Sequence, residues 1–301
     1  MNNKFLPITV IIPSYNRLEQ LKLTLSHYLA LPVEQVLLID DGSTDGTEEE
    51  FSKISHEKFL YYKNQNNLGL PGARNKGIEL SQTEYVLMGE DDLYMDEAYV
   101  RRLFDKLREL KGDFIAGRLI NMALGESLKD ATKRSLISNN GQFKYPQTLA
   151  FDYSCSLNDI IETPYVHACS LYRVEWARRF PYSRRYTGNA LREESHFYLN
   201  AYKNGAKIFF DSSVSSYHMY HDYGGGCRIT QWKYFFYGCL NTHRFLDSYW
   251  LDIKDIFEIN KSRCFFEMCY SCHLALSSFK HWLSMSFPNL HGRLKSLKKS
   301  K

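Results

Sequence analysis

The fold is decided by the stretch YVLMGEDDLY, residues 85–94, in which an apolar run changes abruptly into three consecutive carboxylates. Residues 85–88 have the aromatic and branched side chains of a buried strand, because strands covered on both faces have continuous apolar runs. The acids therefore follow the carboxyl end of this strand, which in open α/β sheets faces the ligand crevice. The alternative is an acidic first turn for a helix predicted to begin near Asp96, stabilised by the helix dipole.

Strand and helix alternate through the rest of the first half. Buried strands are predicted at residues 8–13, 36–39 and 59–62, and leucines spaced by three and four predict a helix between the first two. Right-handed connections between such units place the strands in a parallel sheet with helices on both faces. The predicted fold class is therefore α/β, with a Rossmann-like, mostly parallel sheet flanked by helices.

The regular alternation loosens after residue 113. A long polar segment, residues 129–147, is interpreted as a loop that could cover a site. The pattern of strands and helices then resumes. The predicted elements are a strand at 165–173, helices at 174–179 and 191–202, and two short strands at 207–210 and 214–219.

The composition changes again after the glycines at 224–226, to aromatic-rich helical segments at 232–250 and 263–287. The predicted domains are therefore residues 1–222 and a helical extension, residues 223–301. The extension ends in a basic tail with five lysines and arginines. It is either an ordinary packed helix pair or an interfacial helix that contacts an anionic membrane surface.

Charge and cysteine content restrict the partners and the compartment. The formal net charge is only +4 and both signs are mixed along the chain, so no nucleic-acid-binding surface is predicted. Seven cysteines without a repeated Cys-x-x-Cys framework favour a reducing compartment. The N-terminus lacks the apolar core of a signal peptide, and no apolar stretch is long enough to span a bilayer. The expected location is cytoplasmic, with the extension allowing peripheral contact with the inner face of the membrane.

Three strand ends are predicted to converge on one edge of the sheet, and a ligand site follows from that convergence. Tyr15 can stack on a planar base. Asp41 can accept a hydrogen bond from a ring nitrogen, while one of Asp40 and Asp41 is expected to cap its own loop. Arg74, at a turn between loop and helix, could reach the base or Asp41.

A diphosphate leaving group carries concentrated negative charge, which a divalent ion would neutralise. Carboxylate oxygens suit Mg²⁺ or Mn²⁺, and a histidine ligand favours Mn²⁺. Asp92 and His218 are the candidate ligands, although an isolated histidine such as His218 is more often structural.

An acceptor hydroxyl needs a general base on the side opposite the leaving group. Glu193 and Glu194, at the start of a predicted helix, supply one. Only one of two adjacent helical residues is expected to face the crevice, and the other is expected to pair with a base or cap the helix.

Five sequence blocks occur in an order that resembles family 2 glycosyltransferases, which are nucleotide-sugar enzymes with the GT-A fold. The resemblance covers residues 8–218 and implies that the first predicted domain is the catalytic one. The blocks are VIIPSYNR, LLIDDGSTDGT, NNLGLPGARNKG, GEDDLY and LREESHFYLNAYKNGAKIFFDSSVSSYH.

The resemblance implies roles position by position. Asp91 would contact the ribose or the sugar, Asp92 would ligate the metal, and His218 would approach the metal or the diphosphate. Glu194 matches the catalytic-base position, with Glu193 beside it, and the reaction would be a single inverting displacement. The base side of the nucleotide would be held by Pro13, Tyr15, Asp41 and Arg74.

The chain departs from the family pattern at three positions. Gly89 stands where a further Asp is common, so Glu90 could be a bystander to the metal. Glu194 is a longer equivalent of an acid that is often Asp. His167 replaces a commonly smaller residue in the strand that lines the acceptor pocket, which predicts an altered acceptor shape.

The leading hypothesis is a metal-dependent inverting glycosyltransferase that uses a nucleotide-diphosphate sugar, UDP-linked, to extend a glycan or lipid-linked glycan for the cell surface. An alternative is a polyprenyl-phosphate sugar synthase, whose phosphate acceptor needs no strong base; the pair Glu193 and Glu194 argues against it. A third hypothesis is a nucleotide-binding scaffold that has lost turnover, against which the full set of acids and His218 argues.

Overall fold

The computed structural model describes residues 5–138, 142–220 and 230–286. Strands and helices alternate through most of this part of the chain. The strands are β1 (Leu6–Ser14), β2 (Val33–Asp40), β3 (Phe59–Lys63), β4 (Tyr85–Met88), β5 (Leu93–Tyr94), β6 (Phe114–Asn121), β7 (Lys144–Tyr145), β8 (Ala150–Phe151), β9 (Ile161–Glu162), β10 (Leu171–Arg173) and β11 (Ile208–His218). The helices are α1 (Leu18–Ala30), α2 (Thr47–Phe51), α3 (Gly69–Leu80), α4 (Glu97–Glu109), α5 (Leu128–Ser138), α6 (Val174–Arg179), α7 (Glu193–Lys203), α8 (Gln231–Ile256) and α9 (Arg263–Ser286).

A nine-stranded sheet forms the centre of the fold, in the order β3-β2-β1-β4-β10-β6-β11-β5 with β9 beside β11. The first four strands of this order are parallel, and Ile11 of β1 lies between Leu37 and Met88. Strand β10 is antiparallel to both of its neighbours. The predicted α/β class with a mostly parallel sheet and a C-terminal helical region is confirmed.

Alternate residues of the central strands pack on opposite faces of the sheet, as the two-residue period of a strand requires. On β1, Val10 and Ile12 belong to one hydrophobic core and Ile11 to a second. Helices α1 and α4 complete the first core, and helices α3, α7 and α8 contribute to the second. The sheet is therefore covered on both sides, and the carboxyl ends of its parallel strands remain available for a ligand.

The C-terminal helices pack on this second core. Phe245 and Tyr249 of α8 and Phe266 of α9 are buried in the same cluster as Phe197 of α7. None of the described helices is long and apolar enough to cross a membrane. The glycines at 224–226 and the basic tail lie outside the described residues, so the interfacial alternative and the domain division stay predictions.

The interpretation of residues 129–147 as a loop was wrong for its first part, because α5 runs through Ser138. Ser127 caps this helix: its hydroxyl accepts from the Asp130 backbone N–H at 3.2 Å and donates to the Asp130 carboxylate at 2.7 Å. Ala131 and Ser135 face inward. The helix therefore forms with a short buried face that the polar composition concealed.

Two other predictions need correction. The strands predicted at 207–210 and 214–219 are one strand, β11, with a register shift against β6 between Phe210 and Ser215. The shift occurs where the polar residues 211–213 interrupt the apolar pattern, which is why the strand was predicted in two parts. The strand predicted at 165–173 is confined to β10, since the residues before it are buried without strand pairing.

Candidate active site

The predicted convergence of three strand ends is confirmed. The Asp41 backbone N–H donates to the Ser14 carbonyl, and the Gly89 N–H donates to the Ile11 carbonyl, each at 2.8 Å. Asn16, in the left-handed region at φ 52°, accepts from the Thr44 N–H at 2.7 Å. Tight backbone pairing therefore fixes the loops after β1, β2 and β4 against one another at one edge of the sheet.

Asp40 and Asp41 divide two tasks between them. Asp40 is buried and caps its own loop, because its carboxylate accepts from the Ser43 N–H at 2.8 Å and from the Tyr61 hydroxyl at 2.5 Å. Asp41 Oδ1 accepts from the Asn64 amide at 2.8 Å and from the Leu68 N–H at 2.9 Å. The second oxygen, Oδ2, accepts only from the Gly69 N–H at 2.8 Å among the described residues, which leaves it a further acceptor position.

The residues expected on the base side of the nucleotide differ in exposure. Tyr15 is 42% exposed, while Pro13 lies buried in β1 opposite Ile39. Burial raises the pKa of Asp41, with its three hydrogen bonds acting in the opposite direction. The positions of Tyr15 and Asp41 are compatible with the roles expected of them, which stay predictions.

Arg17 is a site residue that the sequence argument missed. Its guanidinium is buried, with Nε 3.0 Å from Asp91 and Nη2 2.7 Å from Asp92. Asp91 also accepts from the Ser14 hydroxyl at 2.9 Å. Burial and the neighbouring charge of Asp92 raise the pKa of Asp91 to about 7, although Arg17 and Ser14 oppose them. Asp91, expected to contact ribose or sugar, is thus mainly anchored inside the protein.

Glu90, expected to be a bystander, lies at the centre of the site. Its carboxylate is 2.5 Å from His218 Nε2, and Asn121 Oδ1 lies 3.2 Å from His218 Nδ1. The antiparallel pairing of His218 with Leu93 brings the histidine to the acidic stretch. Tyr28 holds the turn, since its hydroxyl donates to the Glu90 carbonyl at 2.8 Å.

The Glu90 and His218 side chains favour each other's charged forms. Burial disfavours the imidazolium, but the carboxylates of Glu90, Asp92 and Asp91 outweigh it and raise the pKa of His218 to about 9. Burial likewise acts to raise the pKa of Glu90, but His218 and Arg74 lower it to about 2. The pair is therefore ionic at neutral pH.

Arg74 connects the acidic stretch to the start of α7. The guanidinium, which is 1% exposed, contacts the fully buried carboxylate of Glu193 and lies 3.4 Å from Glu90. It also lies over the Tyr182 ring, 5.3 Å from the centroid. Arg74 was expected on the base side of the nucleotide, whereas its described partners are on the acid side of the crevice.

The two adjacent glutamates point in different directions, as the sequence argument expected. Glu193 pairs with Arg74, whereas the Glu194 side chain is 35% exposed and only reaches Arg74 at 3.8 Å. Burial and the nearby Glu90 charge raise the pKa of Glu194, against the lowering effect of Arg74. A partly exposed carboxylate with a raised pKa suits a general base.

The side chains around His218 fit a divalent ion. Glu90 and Asp92 supply hard carboxylate oxygens and His218 an imidazole nitrogen, which suits Mn²⁺. In this structure Glu90, rather than the predicted Asp92, contacts His218, while Asp92 pairs with Arg17. The ligand pair Asp92 and His218 stays a prediction, and the contact with His218 makes Glu90 a further candidate ligand.

His167 does not line an open pocket. It is 5% exposed, its Nε2 lies 2.8 Å from the Gly117 carbonyl oxygen, and its ring packs against Tyr153. Burial lowers its pKa to about 4 and keeps it neutral, so Nε2–H donates to the carbonyl. The expected change of acceptor shape through His167 stays a prediction, and the burial of the side chain means that it would act through its neighbours.

Comparisons with known proteins identify the family of the chain. Residues 9–180, more than half of the chain, match the family model described as glycosyl transferase family 2. Glycosyltransferase GlyA of Streptococcus pneumoniae is 31% identical over 40% of this chain and 18% of its own length. Poly-beta-1,6-N-acetyl-D-glucosamine synthase of Staphylococcus aureus is 36% identical over 30% of this chain and 23% of its own length. The chain thus spans about a fifth of the length of these relatives.

Solved structures share the fold. Residues 1–349 of TarS from S. aureus, in complex with UDP-GlcNAc, align with a TM-score of 0.56 at 16% identity, over 79% of this chain and 66% of that one. GalNAc-T7 with UDP, GalNAc and Mn²⁺ aligns with a TM-score of 0.61 at 13% identity, over 85% of this chain and 50% of that one. At these identities the likeness establishes the GT-A fold alone.

Proposed function

Since the chain belongs to glycosyl transferase family 2, we propose that it is an inverting enzyme that transfers a sugar from a UDP-sugar to a hydroxyl of a glycan or lipid-linked glycan. The observation that carries the proposal is the position of Arg74. One buried guanidinium touches Glu90 of the acidic stretch on one side and Glu193 on the other, with Glu194 next to it. The donor-binding acids and the base are thereby held in one crevice.

The donor would bind across the three strand ends. The base would stack on Tyr15 and donate a ring N–H to the remaining acceptor position of Asp41 Oδ2. Asp92, Glu90 and His218 would hold Mn²⁺ or Mg²⁺, which supplies charge neutralisation for the diphosphate when bound. That TarS binds UDP-GlcNAc and that GalNAc-T7 binds UDP with Mn²⁺ supports this choice of ligand.

Transfer would take place in one displacement. The acceptor oxygen forms a bond to the anomeric carbon as the bond from that carbon to the diphosphate breaks, and the hydroxyl proton passes to Glu194. Attack from the face opposite the diphosphate converts an α-linked donor into a β-linked product. A phosphate acceptor would need no such base, so the exposure of Glu194 favours a hydroxyl acceptor over polyprenyl phosphate.

The catalytic domain in this proposal is residues 1–222, and residues 223–301 form an extension whose described helices, α8 and α9, pack on the core of that domain. Large apolar side chains on α9 remain exposed, among them Phe265, Met268 and Leu276. Together with the basic tail, they support peripheral contact with a membrane that carries a lipid-linked acceptor for polysaccharide synthesis.

A thermal-shift panel of UDP, GDP, dTDP and CMP, each with and without Mn²⁺, tests the proposed function. UDP with Mn²⁺ should raise Tm more than UDP alone and more than the other nucleotides. Stabilisation by GDP, dTDP or CMP instead of UDP would mean that the donor carries that nucleotide. If none of the nucleotides stabilises the protein in a metal-dependent way, the chain does not bind a donor as proposed.

A further inference from the structure

A cysteine lies directly behind the acid and the histidine at the centre of the site. Strand β10 begins two residues after Cys169, and the Met88 N–H donates to the Ser170 carbonyl at 3.1 Å, so Cys169 lies beside the end of β4 from which the acidic stretch continues. One ligand atom from each of Glu90, Cys169 and His218 lies within 4.8 Å of the other two. We call these three residues the Glu–Cys–His cluster.

The donor types in this cluster differ from those that Mn²⁺ or Mg²⁺ prefers. Thiolate and imidazole are ligands for Zn²⁺, which also ranks above Mn²⁺ in affinity for mixed N, O and S sites. Two ligands of one tetrahedral zinc ion lie about 3.6 Å apart, given Zn–ligand bonds of about 2.0–2.3 Å. The cluster therefore needs each ligand atom to move by only about 1 Å to close around an ion.

A second buried imidazole lies in the same segment as Cys169. His167 is two residues before Cys169 and is 5% exposed. Its Nε2–H is used by the Gly117 carbonyl, so its buried Nδ1 carries a lone pair, which has no hydrogen-bond partner among the described residues. Neither ring nitrogen of His167 belongs to the group of ligand atoms that lie within 4.8 Å of one another, so the site is built from Glu90, Cys169 and His218 alone.

We propose that Glu90, Cys169 and His218 form a thiophilic metal site that binds Zn²⁺ in the donor-free protein. The ion enters from the crevice, where Glu90 and His218 are each partly exposed, and reaches the buried thiol behind them. Coordination replaces the thiol proton and the proton between Nε2 and Glu90, and both pass to solvent. Since Zn²⁺ takes Glu90 and His218, it excludes the ion that would assist the donor.

Co²⁺, a spectroscopic substitute for Zn²⁺, tests the site on the full chain without nucleotide. The wild type should bind one equivalent, with a near-ultraviolet thiolate-to-cobalt absorption that Zn²⁺ abolishes. Cys169→Ser should lose this absorption and bind at least about 10-fold more weakly, because even outer-shell partners of metal ligands are worth 10–100-fold. Cys155→Ser is the matched control, since Cys155 is also buried and free but lies outside the cluster. It should retain the absorption.

Wild-type protein without the absorption, or Cys169→Ser with an unchanged one, would overturn the proposal. If circular dichroism shows that neither Cys169→Ser nor Cys169→Ala folds, X-ray absorption spectroscopy of the zinc-loaded wild type replaces the variants. The proposal requires one sulfur ligand at about 2.3 Å from the zinc ion, and a spectrum without one would overturn it. Suppression of Mn²⁺-dependent UDP binding by Zn²⁺ is a separate measurement. Only that competition rests on the proposed function, so its failure leaves the cobalt result standing.

Discussion

Replacing Glu193 with Gln should destabilise the protein, whereas the same replacement at the adjacent Glu194 should not. The Glu193 carboxylate is completely buried and faces an Arg74 guanidinium that is 1% exposed. Removing one partner of a buried ion pair costs about 3–5 kcal/mol when the other charge loses its compensation, and Arg74 keeps only its 3.4 Å contact with Glu90 and its 3.8 Å contact with Glu194. Gln can still accept a hydrogen bond from Arg74, so the lower part of this range is expected.

The expected change in Tm follows from the size of the chain. With about 2.1 cal/mol/K of unfolding entropy per residue, 301 residues give about 630 cal/mol/K, so 3–5 kcal/mol lowers Tm by about 5–8 °C. Glu194 is partly exposed and has only a 3.8 Å contact with Arg74, so Glu194→Gln should have an effect within about 0.5 kcal/mol. Thermal unfolding by circular dichroism in ligand-free buffer compares the two variants with wild type.

The two variants also separate structure from catalysis. Glu194→Gln should retain UDP binding and lose about 10²–10⁴-fold in transfer rate, as expected when a general base is removed. The reasoning is refuted if Glu193→Gln has the same Tm as the wild type, or if Glu194→Gln is the destabilised variant. The double variant Arg74→Met/Glu193→Gln checks the cause, because it should be more stable than the sum of the two single changes predicts.

Three further predictions concern neighbouring parts of the molecule. The pKa of His218 is raised from 6.5 to about 9, so the stabilisation from its charged form is complete below pH 6.5 and is lost as the pH rises toward 9. Between pH 6.5 and pH 9 the Tm of the metal-free wild type should therefore fall more than the Tm of His218→Gln. Arg17→Met should lower the free energy of unfolding by about 3–5 kcal/mol, measured by urea unfolding. Arg17→Lys should be intermediate, because it keeps the charge but not the forked geometry of the guanidinium. An Arg17→Met variant as stable as the wild type would show that Arg17 does not stabilise the acidic stretch. Ser127→Ala should cost about 0.5–2 kcal/mol through the lost cap of α5, and an unchanged unfolding midpoint would show that the cap is not needed.

Much of the site could be predicted because local patterns determine it. Each parallel strand was visible as a branched apolar run, and the loops at the strand ends carry the acids, so the convergence at Ser14, Asp41 and Gly89 follows from the class of sheet. The different directions of Glu193 and Glu194 follow from the rotation of about 100° per residue of a helix, which is implied by about 3.6 residues per turn. These features depend on short segments and on the general rules of α/β folds.

The parts that were missed depend on contacts between distant segments. The contact of Glu90 with His218 joins residues 128 positions apart through the two-residue strand β5, which is too short to recognise from its composition. Arg17 was missed, because nothing in its own segment shows that both Asp91 and Asp92 face it. The helix α5 did have a signal, the Ser127 and Asp130 capping pair, but the surrounding polar residues favoured a loop.

Isothermal titration of UDP tests the central claim, a metal-dependent nucleotide site at this edge of the sheet, most directly. The wild type should bind UDP in Mn²⁺ and lose most of that affinity in EDTA, while Asp41→Ala should bind weakly under both conditions and Glu194→Gln should bind like the wild type. Equal binding of UDP by the wild type with Mn²⁺ and with EDTA, or undiminished binding by Asp41→Ala, would contradict the account.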